Sequence, residues 1–296
     1  MNVYLLHGTV DDWTPGRMAH QNYVPRPALE TYLRQRDRPF AAWCRDATAG
    51  DVLTVDDATR AGADACLAAR QLGHEVVFFV NAFQIASGQP YFFSLLDAAI
   101  DARTVDSVSY AGHTFVLAGA GEIQRFRRSA KTNLASMAVS DALTAATELA
   151  QLLGAPEVRV ADHQQPLLLN ELCRLRAAGV AIENHGWSHV EIGALDDAAL
   201  VQHVVDGREW LQRSLSVEAN LYAVPFGVSD VPMHLQERVG AAYFLCDARL
   251  PPRRLSARCW NRRELTTKLQ TMNRLSSYIS LRAEFYDAGG RREAKD

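Results

Sequence analysis

The sequence predicts an α/β fold in which parallel strands are joined by helices. Apolar runs typical of buried strands alternate with segments of helical periodicity along most of the chain. Residues 75–80 include a continuous apolar run, which is typical of a strand covered on both faces. With 296 residues, 48% of them hydrophobic, the chain can bury one large core. We therefore expect a single domain over residues 1–296, built on a parallel sheet with helical crossovers.

The predicted elements follow one another in regular alternation. Up to residue 80 they are a strand at 3–6, a helix at about 27–38, a strand at 51–55, a helix at 61–72 closed by Gly73, and a strand at 75–80. From residue 167 they are a helix at 167–178, a strand at 180–182, a helix at 196–215, a strand at 220–224, a turn at 225–227, a further helix and a strand at 242–246. Three of these strands run directly into polar or turn-forming residues.

Two segments depart from this alternation. Residues 89–162 predict a helix, a hairpin around Ala111-Gly112 and two further helices. Because no proline- or serine-rich linker bounds this segment, we interpret it as an insertion within the same domain. The tail at 251–296 is arginine-rich, and we expect it to be irregular and frayed at its end.

Charge and composition exclude several classes of partner. The formal net charge is -3, from 31 basic and 34 acidic residues, so the chain has no field that would attract nucleic acid or an anionic membrane. A basic cluster at Arg125, Arg127, Arg128 and Lys131 is predicted to be a solvated helix face. We expect a small-molecule substrate and no nucleic acid, and homo-oligomerisation stays open.

The cysteines and the N-terminal residues point to a compartment. Five scattered cysteines without a CxxC pair predict neither a disulfide framework nor a cysteine-based zinc site, and they favour a reducing environment. They are Cys44, Cys66, Cys173, Cys246 and Cys259. The first residues lack the basic region of a secretory signal, and no apolar run approaches the ~18 residues of a membrane span. We therefore expect a cytoplasmic protein without a membrane span.

Asp56 and Asp57 stand where a predicted buried strand ends. Ligands and catalytic groups gather at the carboxyl ends of strands in α/β sheets and barrels. One carboxylate could bind a metal ion while its neighbour accepts a proton from water. The alternative is an N-cap for the helix at 61–72, and for this pair alone the cap is the stronger interpretation.

His185 and His189 follow the predicted strand at 180–182, in the sequence His-Gly-Trp-Ser-His. Histidines four residues apart on a helical turn can present two imidazoles to one ion. Alone, the pair is weak evidence for a metal site, because two histidines at this spacing often occur by chance in a chain with nine histidines. Together with Asp57, however, it supplies three ligands and leaves a coordination position for water, as in catalytic zinc sites.

A third strand end carries the sequence Tyr-Ala-Val-Pro-Phe-Gly at residues 222–227. Pro225 and Gly227 favour a turn, which could direct the backbone N–H of Phe226 into the site as an oxyanion donor. By itself the segment is an ordinary turn.

These three motifs, in this order, resemble the polysaccharide deacetylase family (NodB homology, carbohydrate esterase family 4). Residues 54–58, TVDDA, are similar to the family's TFDDG. Residues 182–189, IENHGWSH, resemble motifs such as EIGNHTWSH, and residues 223–227, AVPFG, resemble the AYPFG variant of its third motif. The resemblance covers about residues 3–250 and implies an irregular (β/α)7-type barrel with an inserted helical and hairpin segment.

The resemblance also implies roles for individual residues. Asp56 would be the general base, and the N–H of Phe226 would help to hold the oxyanion. A divalent ion, with zinc as the expected metal, would be bound by Asp57, His185 and His189. Substrate contacts would come from Trp187 and Pro225, although a tryptophan there could equally buttress the pocket from the core.

The chain departs from the family pattern at three places. Ala58 replaces the glycine that follows the aspartates, and Ala223 stands where many members carry an arginine that orients the base. No Leu-x-x-His motif follows the third strand end, where the only later histidine is His234. The general acid would then come from elsewhere, and the candidates are His7, His163 and His113.

The resemblance leads to three hypotheses about function. The first is metal-dependent hydrolysis of an N-acyl group, above all N-acetyl, on a small substrate that contains an amino sugar. The second keeps the metal but hydrolyses a non-sugar C–N bond of the cyclic amide type. The third is a catalytically inactive binding protein on the same fold.

Overall fold

The strands and helices of the protein lie in the expected order along the chain. The computed structural model describes residues 1–43 and 50–274, so Cys44 and residues 275–296 lie outside the described residues. The strands are β1 (Val3–Leu6), β2 (Thr9–Val10), β3 (Val24–Pro25), β4 (Val52–Asp56), β5 (Val77–Val80), β6 (Ser107–Tyr110), β7 (His113–Val116), β8 (Ala181–Asn184), β9 (Leu221–Ala223), β10 (Ala242–Leu245), β11 (Cys259–Asn261) and β12 (Arg263–Glu264).

The helices fill the intervals between the strands. They are α1 (Arg26–Arg34), α2 (Arg60–Gln71), α3 (Ala82–Ser87), α4 (Phe92–Ala102), α5 (Ala120–Ala135), α6 (Val139–Leu152), α7 (Leu169–Ala177), α8 (Asp197–Leu215) and α9 (Gln236–Val239). Residues 266–274 are also helical. None of the described helices is both long enough and apolar enough to cross a membrane.

The main sheet closes into a barrel. Its strand order is β11-β10-β9-β8-β5-β4-β1-β12, and its described pairings are parallel. The two end strands, β11 and β12, are separated in the chain by Arg262 alone, so one bent strand joins β10 to β1. When this strand is counted once, the described barrel has seven strands, and the predicted (β/α)7-type fold is confirmed.

Alternate residues of each strand fill the barrel interior. Val52, Phe79, Phe244 and Trp260 belong to one buried apolar cluster there. Because successive side chains of a strand point to opposite faces, Asp56 continues the inward row of Val52. The barrel interior therefore carries charged side chains at its carboxyl end, beside this apolar cluster.

The helices pack on the outside of the barrel. Leu29 and Leu33 of α1 join a large cluster with the outward-facing Val55 and Phe78, and Leu172 of α7 belongs to it as well. The predicted helical spacing of Leu29 and Leu33 thus corresponds to the buried face of α1.

The predicted insertion has an apolar cluster of its own. Helices α4, α5 and α6 and the β6–β7 hairpin enclose Phe92, Leu96, Phe115, Phe126 and Leu149. The insertion thus has a core of its own, and it reaches the carboxyl end of the barrel with Phe93 and Lys131.

The expectation of an irregular tail from residue 251 is wrong for its described part. The tail supplies β11, β12 and the helical residues 266–274. Short strands flanked by arginines give little periodic signal, and tertiary pairing with β10 and β1 determines their structure.

The expectation of a solvated basic face on α5 is wrong for two of its four residues. Arg125 and Arg128 are exposed. Arg127 is buried in an ion pair with Asp97, at 2.5 and 2.8 Å, and Lys131 lines a cavity.

Candidate active site

The turn after β4 separates the two adjacent aspartates. Asp56 ends the strand, and Asp57 has a φ of 65°, in the left-handed region that aspartate tolerates better than most residues. Because of this turn, both carboxylates reach the same end of the barrel, where each is at least nine-tenths buried. Ala58, which replaces the family's glycine, does not adopt the left-handed conformation.

Neither aspartate caps helix α2. The N-cap is Thr59, whose hydroxyl accepts a hydrogen bond from the N–H of Gly62 at 3.2 Å. The helix-cap interpretation of Asp56 and Asp57 is therefore wrong, and the two carboxylates are free for other partners.

Asp57, His185 and His189 converge on one point. Asp57 Oδ1 lies 3.5 Å from His185 Nε2 and 3.3 Å from His189 Nε2. One ligand atom from each residue lies within 4.8 Å of the others, and all three side chains are buried. Asp57 Oδ1 and His189 Nδ1 lack hydrogen-bond partners among the described residues. Buried polar atoms without partners are costly, so the cluster has the geometry of a site for a cation.

The pKa shifts of Asp57 and His189 favour the protonation states that bind a metal ion, whereas at His185 the effect of burial is outweighed by Asp56 and Asp57, which raise its pKa. Burial favours the neutral carboxyl, but the neighbouring imidazoles outweigh it and hold the pKa of Asp57 below its ordinary value. Burial lowers the pKa of His189 well below its ordinary value, so this imidazole is neutral. His185 Nδ1 lies 2.8 Å from the carbonyl oxygen of Ala223, which fixes the ring with Nε2 toward Asp57.

Asp56 is held by a bidentate ion pair with Arg262. The two guanidinium nitrogens donate to Oδ1 at 2.7 Å and to Oδ2 at 2.6 Å. Arg262 also donates to the hydroxyl of Thr54 at 3.2 Å. A fork of two parallel hydrogen bonds fixes the plane of the Asp56 carboxylate, because both oxygens are constrained at once.

A buried hydrogen-bond chain connects the Asp57 turn to the His185 loop. The N–H of Ala58 donates to the hydroxyl of Tyr91 at 2.8 Å, and this hydroxyl donates to Asn81 Oδ1 at 3.1 Å. Asn81 Nδ2 then donates to the carbonyl oxygen of His185 at 2.6 Å. The insertion residue Tyr91 thus fixes the two ligand-bearing loops relative to each other.

A cavity of about 180 Å³ opens above the cluster. Asp56, Asp57, His185 and His189 form its floor. Its walls come from His7, Asn22, Phe93, Lys131, Phe226 and Arg262, among others. This volume is well below the roughly 300–1,000 Å³ of pockets that enclose a drug-sized ligand, so it can take only the reacting end of a larger molecule.

The turn at Phe226 packs directly on the cluster. Phe226 has a φ of 60° and its ring centroid lies 4.4 Å from that of His189. Gly227 also has a positive φ, of 68°, and a Cβ there would lie 2.6 Å from the backbone nitrogen of Cys246. The sequence-predicted turn therefore borders the cavity with Val224, Phe226 and Gly227.

Trp187 and Pro225 do not line this cavity. The carbonyl of Trp187 accepts from Phe83 N–H at 2.7 Å, and its N–H donates to the carbonyl of His203 at 2.9 Å. These contacts hold the loop between His185 and His189, so the structure favours a buttress over the expected substrate contact.

Of the histidines considered as general acid, His7 alone lines the cavity. Its Nδ1 is buried without a partner among the described residues. His163 lies in another cavity of about 750 Å³ and bonds to the carbonyl oxygen of Ala19 at 2.9 Å. His113 is exposed on β7, and His234 pairs with Asp197 at the surface.

Sequence reasoning missed Arg262 and Lys131. The available signal for Arg262 was the apolar pair Cys259-Trp260 before it, which resembles the strand ends that carry the other site residues. Lys131 gave no comparable signal, because it belongs to a run of basic residues on a helix.

The chain is similar to known proteins in sequence over one segment and in fold over most of its length. Residues 153–243 match the family model of polysaccharide deacetylase. No curated protein matches the sequence.

Two solved structures show the likeness in fold. The deacetylase PplD from Streptococcus pyogenes, solved in complex with acetate, matches with a TM-score of 0.57 and 10% identity, over 93% of this chain and 96% of that chain. A polysaccharide deacetylase from Bacillus cereus matches with a TM-score of 0.51 and 9% identity, over 89% of this chain and 64% of that chain. The predicted resemblance to the polysaccharide deacetylase family is therefore confirmed, by sequence over the matched segment and by fold over the barrel.

Proposed function

We propose that the protein is a zinc-dependent hydrolase that removes an N-acetyl group from an amino sugar in a small substrate. The observation that carries this proposal is the Asp56–Arg262 pair, which lies beside the cluster of Asp57, His185 and His189 in one cavity. The match to the polysaccharide deacetylase family model supports hydrolysis of an acyl amide.

The buried cluster fits a single divalent ion. Asp57, His185 and His189 would hold the ion, and one oxygen and two nitrogen donors suit zinc. The partnerless Asp57 Oδ1 and the inward-facing Nε2 atoms are the donors expected for it. When bound, such an ion would polarise the carbonyl of the acyl group.

Asp56 would be the general base. Its carboxylate lies on the cavity floor and takes a proton from the water whose oxygen attacks the acyl carbon. Arg262 would orient this carboxylate, in the role of the arginine that Ala223 replaces. Arg262 is thus a positioning residue in the proposed reaction.

Phe226 and His7 would serve the tetrahedral intermediate. The N–H of Phe226, in the turn that borders the cavity, would donate to the developing oxyanion. His7 would donate a proton to the leaving nitrogen when the C–N bond breaks, so that acetate and a free amine are released. The position of His7 on the cavity wall supports this role over His163 and His113.

The structure weakens the reasons for the two other hypotheses. The cyclic amide hypothesis is favoured by the chain's departures at Ala223 and at the missing Leu-x-x-His motif, because relatives with such substrates also vary there, but Arg262 and His7 would supply both groups. The inactive binding protein is disfavoured because the potential ligands Asp57, His185 and His189 are intact and clustered.

The test is acetate release from N-acetylated amino sugars by zinc- or cobalt-loaded protein. We expect Asp56→Asn to lower kcat by about 10²- to 10⁴-fold, because it removes the base but preserves the side-chain volume. The melting temperature of the variant shows whether it is folded. Equal rates for the wild type and a folded Asp56→Asn variant would exclude the proposed mechanism.

A further inference from the structure

Lys131 is a cation of the cavity that the proposed reaction does not use. It lies on α5 of the insertion and lines the cavity above the Asp57 cluster. Its Nζ lies 5.0 Å from the ring centroid of Phe93 and 5.2 Å from that of Phe226. The same two rings pack against His189, so Lys131 and His189 share their aromatic neighbours.

Lys131 has no ion-pair or hydrogen-bond partner among the residues that the structure describes. The nearby acidic side chains are committed elsewhere: Asp97 pairs with Arg127 and Asp56 pairs with Arg262. Asp57 belongs to the cluster with the two imidazoles. The remaining carboxylate of the cavity, Glu264, is on an exposed position of β12.

This arrangement leaves a partly desolvated ammonium that no described carboxylate pairs with directly, although Asp97, Asp57 and Glu264 lie around it. Contacts with aromatic faces compensate only part of the lost hydration. Burial, reinforced by the positive charge of Arg127, lowers the pKa of Lys131 to about 8. Lys131 is half-buried, and a desolvated charge is stabilised by a paired counter-charge, which an anionic ligand in the cavity would supply.

We propose that Lys131 is a substrate-binding residue that recognises an anionic group, a carboxylate or a phosphate, on the N-acetylated substrate. The inference rests on the proposed deacetylase function, because it places the anion beside the acyl amide that enters the cavity. An anion is favoured over a hydroxyl because its oxygens can accept hydrogen bonds from the three N–H donors of the ammonium, and its charge balances that of the ammonium. The substrate is then an acidic or phosphorylated amino sugar rather than a neutral one.

The kinetic test compares three probes: N-acetylglucosamine, its 6-phosphate and N-acetylmuramic acid, which carries a carboxylate. We expect the zinc-loaded wild type to prefer one anionic probe over the neutral sugar. Lys131→Met keeps the aliphatic stem against the two rings, and it should lower the anionic-to-neutral ratio of kcat/KM by about 10- to 100-fold. Lys131→Arg should retain the preference.

Arg128→Met is the matched control, since Arg128 is exposed on the same helix. The anionic-to-neutral ratio of kcat/KM for Arg128→Met should equal that of the wild type. The probe preferred by the wild type identifies the anion as phosphate or carboxylate.

A binding measurement separates this inference from the proposed function. Calorimetry with glucosamine 6-phosphate, muramic acid and glucosamine needs no turnover, so it reports on Lys131 even if no acetate is released. Loss of anion binding in Lys131→Met would then support the inference while the deacetylase proposal fails. A wild type without anionic preference in both measurements, or a folded Lys131→Met variant that keeps it, would overturn the inference.

Discussion

Asp56 and Arg262 form a buried charged pair at the carboxyl end of the barrel, next to its apolar cluster. Each is 3% exposed, and the guanidinium also lies 5.8 Å from the ring centroid of Phe79. A buried pair of this kind contributes little net stability, because its attraction is offset by the cost of removing both charges from water. Loss of one partner is different, since the other charge then stays buried and uncompensated.

Arg262→Met should therefore lower the free energy of unfolding by about 3–5 kcal/mol. The double variant Asp56→Leu/Arg262→Met should recover much of this loss, because two apolar side chains replace the pair. Chemical denaturation measures both effects. A single variant as stable as the wild type would contradict the buried ion pair.

The same variants separate positioning from stability. At a temperature where it is folded, Arg262→Met should lower kcat for acetate release while KM changes little, because the base is misaligned but the binding groups remain. The double variant should be inactive in spite of its restored stability. Recovery of activity in the double variant would show that neither side chain takes part in the chemistry.

The pKa of Lys131 predicts how substrate preference depends on pH. The charged groups around its ammonium are Arg127 on its own helix, Asp97 on α4, Asp57 after β4 and Glu264 on β12. Because burial lowers the pKa of Lys131 to about 8, the side chain is charged at pH 7 and neutral at pH 10. The ratio of kcat/KM for the anionic probe to that for the neutral probe should fall at least tenfold from pH 7 to pH 10. A fall of this size is on the order of the free energy that one charged hydrogen bond contributes.

Changes that are common to both substrates, such as titration of metal ligands, cancel in this ratio. Lys131→Arg should keep its preference at pH 10, because a guanidinium stays charged there. A wild-type ratio that does not change with pH would contradict a charged contact from Lys131.

The site residues that the sequence revealed are those whose partners are close in the chain or in a recognisable motif. Asp56 and Asp57 are adjacent, and His185 and His189 are separated by three residues. Arg262 lies more than two hundred residues from Asp56, and it meets this partner only because the last strand closes the barrel. Local patterns carry no information on such a contact.

The elements that position the cluster are two loops linked by Tyr91 at the start of α4. The hydroxyl of Tyr91 accepts from Ala58 N–H and donates to Asn81, which in turn bonds to the carbonyl of His185. Partners of metal-binding loops orient the ligands, and their loss commonly weakens metal binding about 10- to 100-fold.

Tyr91→Phe should accordingly weaken zinc binding by about tenfold and lower the free energy of unfolding by about 1–3 kcal/mol, because it leaves a buried N–H and a buried amide oxygen without partners. Tyr222→Phe is the matched control. The hydroxyl of Tyr222 is also buried but has no hydrogen-bond partner among the described residues, so its removal should be neutral. Zinc titration and denaturation of both variants give the comparison, and equal effects would exclude the proposed link.

At the level of elements, the sequence predicted most strands and helices to within about two residues. The buried strands β1, β4 and β5 and the helices α2 and α8 have strong periodic or apolar signals, and all were predicted. The short strands β11 and β12 were not, since pairing with distant strands rather than local composition determines them.

The whole molecule combines a barrel with an insertion that completes the site. The barrel supplies the potential metal ligands and the Asp56–Arg262 pair, whereas the insertion supplies Phe93 and Lys131 to the cavity wall. Under the proposed function, the barrel would carry the chemistry and the insertion would contribute to substrate recognition. This division explains how the small cavity could hold the acyl amide while the insertion contacts the rest of the substrate.

The proposed function requires that Asp57, His185 and His189 together bind one zinc ion. Equilibrium dialysis of the purified protein against buffered zinc, followed by metal quantification, tests it directly. We expect the wild type to bind one zinc ion per chain and His185→Ala to bind zinc with much lower affinity. His113→Ala is the control and should also bind one zinc ion, because His113 is exposed on the hairpin. A wild type that binds no zinc, or a His185→Ala variant that binds it as tightly as the wild type, would contradict the account.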